Sequence, residues 1–425
     1  MKLVKMSLLA ATLIASSAFA IDNIKASGDA KLYYSTSDDA DNSLFNKNGA
    51  AGQAAASLSI SADLTEGISA GSKITALSTL GLEGQLVNNV WEAPSGLTDS
   101  FIVNELWLAG TIGKTTGKIG RMPLDTPLVF TETWSITENT FEAAVLINQD
   151  IPDTTLVGAY VGGSNAQAFG GSGAGIGGVI STSANGSTFS QFYKGAYAAG
   201  AVNNSWAPLT AQAWYYGATS TVNAYWLQAD LALDFGLLLG AEFTGLDIKE
   251  GALADATATP PFAGLNDSSN TAWAVMAGYE MKDSFKISVA YSQTGEDKDN
   301  SVGAGMNLAG SGQSKLYTSA WWNSQIVATV DTSAINFTAT TPEELTYVGL
   351  GLYVTQVTVG ENGTGADKNA DLLEVTLEAS KSFGPLDTSL VYILTDQEGV
   401  NLSTAGDATT GQSFNTVQAY LTYNF

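Results

Sequence analysis

Apolar and polar residues alternate strictly along many stretches of the chain. In the range 54–64 the even positions are Ala, Leu or Ile, and Ser or Asp occupies most odd positions. The same two-residue period recurs at 225–231, 285–291, 373–380 and 417–425. This period is typical of a β-strand with one apolar and one polar face.

The links between these stretches are unequal in length. Links such as 65–67 and 282–284 are short, whereas 164–188 and 248–270 are long and rich in Asp, Asn, Gly, Ser and Thr. Outer-membrane barrels combine short periplasmic turns with long external loops, so the asymmetry favours that class over a soluble sandwich. The pattern predicts about 18 strands, with 16 as the alternative. One of them is placed at 325–339.

The sequence thus predicts an all-β fold, a transmembrane antiparallel β-barrel formed by a single domain over residues 21–425. Lipid offers no hydrogen-bond partners to an open sheet edge, so the strands must close on themselves. A barrel of about 16–18 strands leaves an aqueous channel, whereas about 8 strands would be filled by side chains. A water-filled pore is therefore expected.

Residues 1–20 have the three regions of a secretory signal peptide. Lys2 and Lys5 precede an apolar run over 8–15, and the small-residue box 18–20 follows. The run is shorter than the roughly 20 apolar residues that a membrane-spanning helix needs. The segment is therefore predicted to direct export and to be cleaved after Ala20.

The chain carries few charges, and most of them are acidic. Charged residues make up 14% of the sequence and hydrophobic residues 45%, with 17 basic against 41 acidic side chains. Soluble proteins carry about a quarter charged residues, so the scarcity favours strands that face lipid on alternate positions. The negative balance argues against a nucleic-acid partner and for attraction of cations, although solvated acidic loops alone would give the same balance.

The sequence contains neither Cys nor His. Ser-His-Asp catalysis, Cys-His catalysis and His-ligated zinc are therefore excluded, because each needs one of these side chains. The usual activation of a nucleophile lacks its base. We expect no enzymatic activity.

The link between the fifth and sixth predicted strands, about 123–142, is more apolar than the other long links. It contains Leu128, Phe130, Trp134 and Ile136, which a fully solvated loop does not need. Burial on the inner wall would shield them from water, so we predict an inward-folded third external loop that forms the constriction. The acidic residues predicted to line it are Asp125, Glu132, Glu138 and Glu142.

Carboxylates at a constriction attract cations and hinder anions, and this predicts cation preference. Helix capping or plain solvation is the alternative for each acid. Arg121, the only arginine of the chain, precedes the loop and is a candidate counter-charge. Alternation places Arg121 on the face of Ile119, which is expected to contact lipid, unless a bulge at Gly120 or Pro123 re-aims it. Alternation also points Glu105 and Lys118 into the lumen.

Several stretches resemble the major outer membrane protein porins of Campylobacter and related bacteria, a branch similar to the OprD-type porins. They are MKLVKMSLLAA at 1–11, FIVNELWLAGTIGKTTGKIGRMPLD at 101–125, the segment 196–233 and the last strand. The resemblance implies an eighteen-stranded, homotrimeric, cation-preferring general porin with an inward third loop. Family members can hold calcium among constriction carboxylates, so Ca²⁺ is a candidate ligand without assigned residues here; no cofactor is required.

The predicted location in the Gram-negative outer membrane implies contact with membrane lipid and lipopolysaccharide. The terminal Phe425 resembles the assembly signal of outer-membrane barrels, which implies recognition by the barrel-assembly machinery. The acidic runs at 38–42 and 296–300 have carboxylate spacings that could coordinate Ca²⁺. Neither has the glycine position and closing glutamate of an EF-hand loop, so solvated loops are favoured.

Together these features predict an outer-membrane porin for passive diffusion of small hydrophilic solutes and ions through a cation-preferring pore. The alternative is a substrate-specific outer-membrane channel for small solutes. OprD-type porins recognise carboxylate-bearing solutes with basic residues, and a chain with one arginine and few lysines fits the first function better. An adhesin role of the external loops stays open.

Overall fold

The computed structural model describes most of the chain, with gaps at one end and in the external loops. The described residues are 22–39, 42–78, 80–81, 86–87, 100–133, 136–165, 190–218, 222–248, 268–296, 303–310, 312–361, 370–399 and 412–425. The predicted signal peptide, Trp134 and parts of the acidic runs 38–42 and 296–300 lie outside these residues.

Eighteen strands form one antiparallel sheet. The first nine are β1 Asp22–Ser37, β2 Ala50–Thr65, β3 Ile68–Ser78, β4 Ser100–Ile112, β5 Thr115–Met122, β6 Phe141–Asn148, β7 Thr154–Ser164, β8 Ser190–Asn203 and β9 Leu209–Ala218. The second nine are β10 Val222–Ala232, β11 Leu237–Ile248, β12 Ser268–Met281, β13 Phe285–Thr294, β14 Thr332–Thr341, β15 Gly349–Val359, β16 Ala370–Phe383, β17 Leu386–Glu398 and β18 Gln412–Asn424.

Each strand pairs with its neighbours in the chain, and β1 also pairs with β18, so the sheet closes into a barrel. The predicted eighteen-stranded barrel is thereby confirmed. Helical structure in the described residues is limited to 3₁₀ turns at Lys47–Gly49 and Ser324–Ala328 and one α-helical turn at Glu343–Thr346. No helix in these parts of the chain is both long and apolar enough to cross a membrane.

The two faces of the wall differ in polarity, as the alternation predicts. On β4 and β5, the side chains of Leu106, Leu108 and Ile119 expose 60%, 47% and 60% of their surface on the outer face. Polar residues such as Gln418 and Thr376 are buried on the inner face. The barrel therefore has an apolar exterior, whereas its inner face carries polar as well as apolar side chains.

The closing seam involves the end of the chain. The backbone N–H of Gly28 donates to the carbonyl of Phe425 at 2.8 Å, and the N–H of Phe425 donates to the carbonyl of Gly28 at 2.9 Å. The Phe425 ring covers Gly28, where a Cβ atom would collide with it. A glycine opposite an aromatic ring lets that ring lie flat against the sheet.

One predicted strand is wrong in its first half. The strand predicted at 325–339 begins only at Thr332, and Ser324–Ala328 forms a 3₁₀ turn inside the barrel. Ile326 and Val327 are 5% and 0% exposed. These apolar residues resemble a strand in sequence, but they are buried by contacts inside the lumen rather than by alternation in the wall.

Candidate pore constriction

Two external loops fold back into the barrel. Loop 3 (123–140) joins β5 to β6, and loop 7 (295–331) joins β13 to β14. Leu128 of loop 3 and Leu308 and Leu316 of loop 7 belong to one buried apolar cluster with Trp226 on the inner wall of β10. The cost of exposing these side chains to water holds both loops inside the lumen. The structure thus places loop 3 inside the barrel, as predicted.

Asn307 joins the two loops. Its Nδ2 donates to the Phe130 carbonyl at 2.8 Å and to Glu132 Oε1 at 2.9 Å, and its Oδ1 accepts from the Phe130 N–H at 3.3 Å. Beside it, the N–H of Leu308 donates to the carbonyl of Leu128 at 2.8 Å. The Asn307 amide therefore pairs with loop 3 as an adjacent strand would, and the two loops pack together as one unit inside the lumen.

Glu132 lies between the loops rather than on the pore surface, which corrects its predicted position. The residue is only 3% exposed. Its Oε1 also accepts from the N–H of Gln313 at 3.2 Å, and its own N–H donates to Asn139 Oδ1 at 2.7 Å. Apolar packing of the loops brings this carboxylate into a cluster of N–H donors and away from the water path.

Glu138 lies on the inner face, beside the wall of β3 and β4. Its carboxylate forms an ion pair with Lys73 of β3, and the two side chains are 23% and 15% exposed. Lys73 is the cross-strand partner of Glu105, so these side chains share the inner face. The ladder contains one extra residue at Asn104, whose Nδ2 is 3.4 Å from the Glu138 carbonyl. Lys73 is therefore close to the carboxylates of both Glu138 and Glu105.

Lys118 also points into the lumen. Its ammonium lies 4.1 Å from the centre of the Trp107 ring, in cation–π geometry. Trp107 Nε1 in turn donates to Glu105 Oε2 at 3.1 Å. The structure therefore brings Lys118 and Glu105 to the same patch of the inner wall, with the ammonium over the face of the Trp107 indole and the carboxylate at its N–H.

Asp125 begins loop 3 and faces loop 7. Its carboxylate, 89% exposed, forms an ion pair with Lys315. The Lys315 ammonium also lies 4.5 Å from the centre of the Phe130 ring. This ion pair is open to water and joins opposite charges of the two loops.

Arg121 and Glu142 lie on the outer face, which corrects their predicted place in the constriction. Arg121 is opposite Leu106 on β4 and Glu142 on β6, and cross-strand partners share a face. Arg121 Nε donates to Glu142 Oε1 at 3.0 Å. Gly120 has φ of +128°, yet the β4–β5 ladder runs through it without a shift. Because no extra residue enters the ladder, Arg121 keeps the face of its alternation.

Three features of this region were absent from the sequence-based prediction: Lys73, Lys315 and the inward course of loop 7. Lys73 alternates with Ile74 on a predicted strand, so its inner position could have been found by the reasoning applied to Lys118. Loop 7 contains Leu308 and Leu316, the same apolar signal that identified loop 3. The pairing of Lys315 with Asp125 depends on two loops distant in sequence, and alternation does not predict it.

No protein-family model matches the chain, and no curated protein matches it. Among solved structures, OpdK from Pseudomonas aeruginosa with vanillate is similar with a TM-score of 0.69 at 12% identity, covering 95% of this chain and 99% of that one. OccK8 (OprE) of the same species gives 0.67 at 14% identity, with 96% and 99% covered. A BenF-like porin from Pseudomonas fluorescens gives 0.69 at 11% identity, with 95% and 99% covered.

These similarities cover almost the whole barrel at low sequence identity, so they establish a common fold. They agree with the OprD-type part of the predicted resemblance. The narrower resemblance to Campylobacter major outer membrane proteins stays a prediction.

Proposed function

We propose that this protein is an outer-membrane porin through which small hydrophilic solutes and ions diffuse passively, with preference for cations. The observation that carries the proposal is a closed barrel with an apolar exterior, whose lumen contains charged side chains and is narrowed by loops 3 and 7 without being filled by strands. An apolar outer belt is stable only against lipid, and a wide polar lumen holds water. In this proposal the chain is a channel and not an enzyme.

The charges of the lumen support cation preference. Lys73 and Lys315 form ion pairs with Glu138 and Asp125. Lys118 and Glu105 both contact the indole ring of Trp107. Each of these lysines therefore has its positive charge offset by a nearby carboxylate. The overall acidity of the chain then sets the sign of the field that a permeating ion meets.

Purified protein in planar bilayers tests this function. We expect stepwise conductance and, under a salt gradient, a reversal potential of the sign that cation permeation gives. The neutralised variant Glu105→Gln should lower the cation preference because Lys118 would then lack its carboxylate neighbour. Absence of conductance, or anion selectivity of the unaltered protein, would contradict the proposal.

A second candidate is a substrate-specific channel for small solutes. It is favoured by the fold shared with OpdK, whose structure was determined with vanillate. The lysines of the lumen argue for cation preference instead, because Lys73 and Lys315 are already paired with carboxylates and are not free to bind an anionic solute. Swelling of protein-loaded liposomes separates the two: uptake governed by solute size supports the general porin, and sharp preference among equal-sized sugars, amino acids and organic acids supports the specific channel.

The proposal places the protein in the Gram-negative outer membrane, exported by residues 1–20 and surrounded by lipid and lipopolysaccharide. The Arg121–Glu142 pair would then lie on the lipid-facing side at the external end of β5 and β6. Phe425, which packs on Gly28 at the seam, is the proposed contact for the barrel-assembly machinery. Heat-modifiable migration of an unaltered protein and a Phe425 deletion, recovered from membranes, tests this role.

Two further expectations remain proposals. The first is a homotrimer, which rests on the family resemblance and is tested by the mass of the detergent-solubilised protein. The second is calcium at pore carboxylates. Among the residues that the structure describes, no three acidic side chains are grouped so that they could hold a metal ion. Glu132 accepts from N–H donors and Glu138 is paired with Lys73, so calcium at either acid would have to displace these partners.

A further inference from the structure

We infer that three buried carboxylates, Glu132, Glu242 and Glu374, position loop 7 as a strap across the lumen and so set the open cross-section of the pore. The inference rests on the proposed porin function, but its structural part can be tested independently of conductance. The three acids come from loop 3, β11 and β16, so they hold loop 7 from three directions.

Glu374 makes the most complete of these contacts. It is 1% exposed on the inner face of β16. Its Oε1 accepts from the N–H of Trp322 at 2.9 Å, and its Oε2 accepts from the N–H and Nδ2 of Asn323 at 2.9 and 2.8 Å. Both oxygens are therefore engaged by one short segment of loop 7. A buried carboxylate is costly unless such donors replace its water.

Glu242 of β11 contacts the part of loop 7 that precedes Trp322 and Asn323. The residue is 4% exposed, and its Oε2 accepts from the N–H of Tyr317 at 3.0 Å. The Tyr317 ring lies over Gly240, where a Cβ atom would collide with it, and its hydroxyl donates to Asp230. Burial raises the pKa of Tyr317, so this hydroxyl remains a donor at neutral pH. Backbone, ring and hydroxyl thus fix one residue of loop 7 to the wall.

Glu132 completes the set from the opposite side. Its Oε1 accepts from Asn307 Nδ2 and from the N–H of Gln313, both in loop 7. The three carboxylates therefore contact loop 7 at successive points between Asn307 and Asn323, in its central part. The described residues of loop 7 form no strand paired with the wall. These contacts therefore fix its course together with the apolar cluster, the Lys315–Asp125 ion pair and the hydrogen bond between Ser292 and Thr318.

Glu378 provides a matched control. It lies on the inner face of β16, four residues after Glu374, and accepts from Tyr353 Oη at 3.3 Å and Ser389 Oγ at 3.1 Å. These partners belong to β15 and β17 and not to loop 7. Glu378→Gln thus changes the same charge on the same strand without touching the strap.

The test compares Glu374→Gln and Glu242→Leu with Glu378→Gln. Glutamine keeps one acceptor but presents an NH₂ group to an N–H donor, and leucine removes both oxygens. We expect a roughly twofold rise in single-channel conductance and larger current noise in the two strap variants, since the free width of the barrel sets its conductance. The reversal potential should move little. Glu378→Gln should leave conductance and noise unchanged.

A disulfide that can be formed and reduced provides a rescue experiment for Glu374→Gln. Ser292 Oγ on β13 and Thr318 Oγ1 in loop 7 are 2.5 Å apart, and both residues are fully buried. Since the chain has no cysteine, Ser292→Cys with Thr318→Cys introduces a single thiol pair. Under oxidation the disulfide should return the conductance of Glu374→Gln to that of the unaltered protein, and reductant should raise it again.

Hydrogen exchange of the backbone over 312–331 reports on the strap even without conductance. Faster exchange there in Glu374→Gln and Glu242→Leu, with no change in Glu378→Gln, supports the inference even if the protein proves not to be a porin. If Glu374→Gln fails to insert, Glu242→Leu decides alone. Unchanged exchange and conductance in the strap variants, or a shifted reversal potential at unchanged conductance, would overturn it.

Discussion

Loops 3 and 7 both narrow the lumen, but they carry their charges in opposite ways. Loop 3 contributes Asp125 and Glu138, and both carboxylates pair with lysines from other parts of the barrel. Loop 7 contributes Lys315 and many backbone N–H groups, and it receives carboxylates from loop 3 and the wall. Acids that reach the water of the lumen, such as Asp125 and Glu138, can therefore influence permeating ions. Buried acids of the wall, such as Glu374, instead fix the backbone of loop 7.

The strongest way to break this arrangement is to separate the two loops. Asn307→Ala removes the amide that pairs with Phe130 and leaves Glu132 without one of its donors. We expect a loss of about 3 kcal/mol in unfolding free energy, since a buried group that loses its partner costs roughly 1–3 kcal/mol and several bonds are lost. Denaturant unfolding in detergent, followed by circular dichroism, measures it.

Asn336→Ala is the matched control for this prediction. Asn336 is a buried asparagine on β14 whose Nδ2 donates to Thr355 Oγ1 at 2.7 Å, so it joins two adjacent strands and not the loops. The two variants should differ in pore behaviour: only Asn307→Ala should raise conductance. Equal conductance changes in both would show that the link between loops has no special role.

The two loops also differ in how well the sequence predicts them. The wall follows from a local rule, and strict alternation predicts its eighteen strands because each residue's face depends on its immediate neighbours. Loop 3 was predicted from apolar residues in one short link. Sequence reasoning does not find loop 7, because it assigns one part of the segment to an acidic loop and another to a strand at 325–339. Ile326 and Val327 favour the strand assignment, since both have β-branched side chains.

The same distinction, between local alternation and contacts distant in sequence, separates the candidate pore residues. Glu105 and Lys118 have inner positions that alternation alone gives, and Arg121 kept the outer face that alternation gives it. The burial of Glu132 and the pairing of Glu138 with Lys73 depend on contacts between segments far apart in sequence. A single sequence contains no local signal for such contacts, so the acids of loop 3 could not be sorted into buried and pore-lining ones.

Glu138 and Glu132 of loop 3 are expected to affect different properties, the first ion selectivity and the second stability. Glu138→Gln leaves the Lys73 ammonium without its ion-pair partner on the lumen surface, so the ratio of cation to anion permeability should fall by about twofold. Glu132→Gln changes the same charge in a buried position and should lower stability while moving the reversal potential much less. Reversal potentials under a salt gradient measure both. A larger shift in Glu132→Gln would reverse the assignment.

A smaller effect is expected at the exposed contact between the loops. Asp125→Asn removes the partner of Lys315, but the pair is open to water and an exposed ion pair contributes less than about 1 kcal/mol. We therefore expect unfolding free energy close to that of the unaltered protein and a modest decrease in cation preference. High salt should diminish the difference in selectivity, because it screens exposed charges. A large loss of stability would mean that the pair holds the loops.

The smallest effect on the pore is expected from the only arginine of the chain. Arg121→Gln removes the partner of Glu142 on the outer face, where neither side chain meets the water path. Conductance and reversal potential should match those of the unaltered protein, and Glu142→Gln should behave alike. A double variant should also leave selectivity unchanged, since the pair contributes no charge to the lumen. A reversal potential shifted in any of the three would return Arg121 to the constriction and contradict the outer face deduced from its ladder with Leu106.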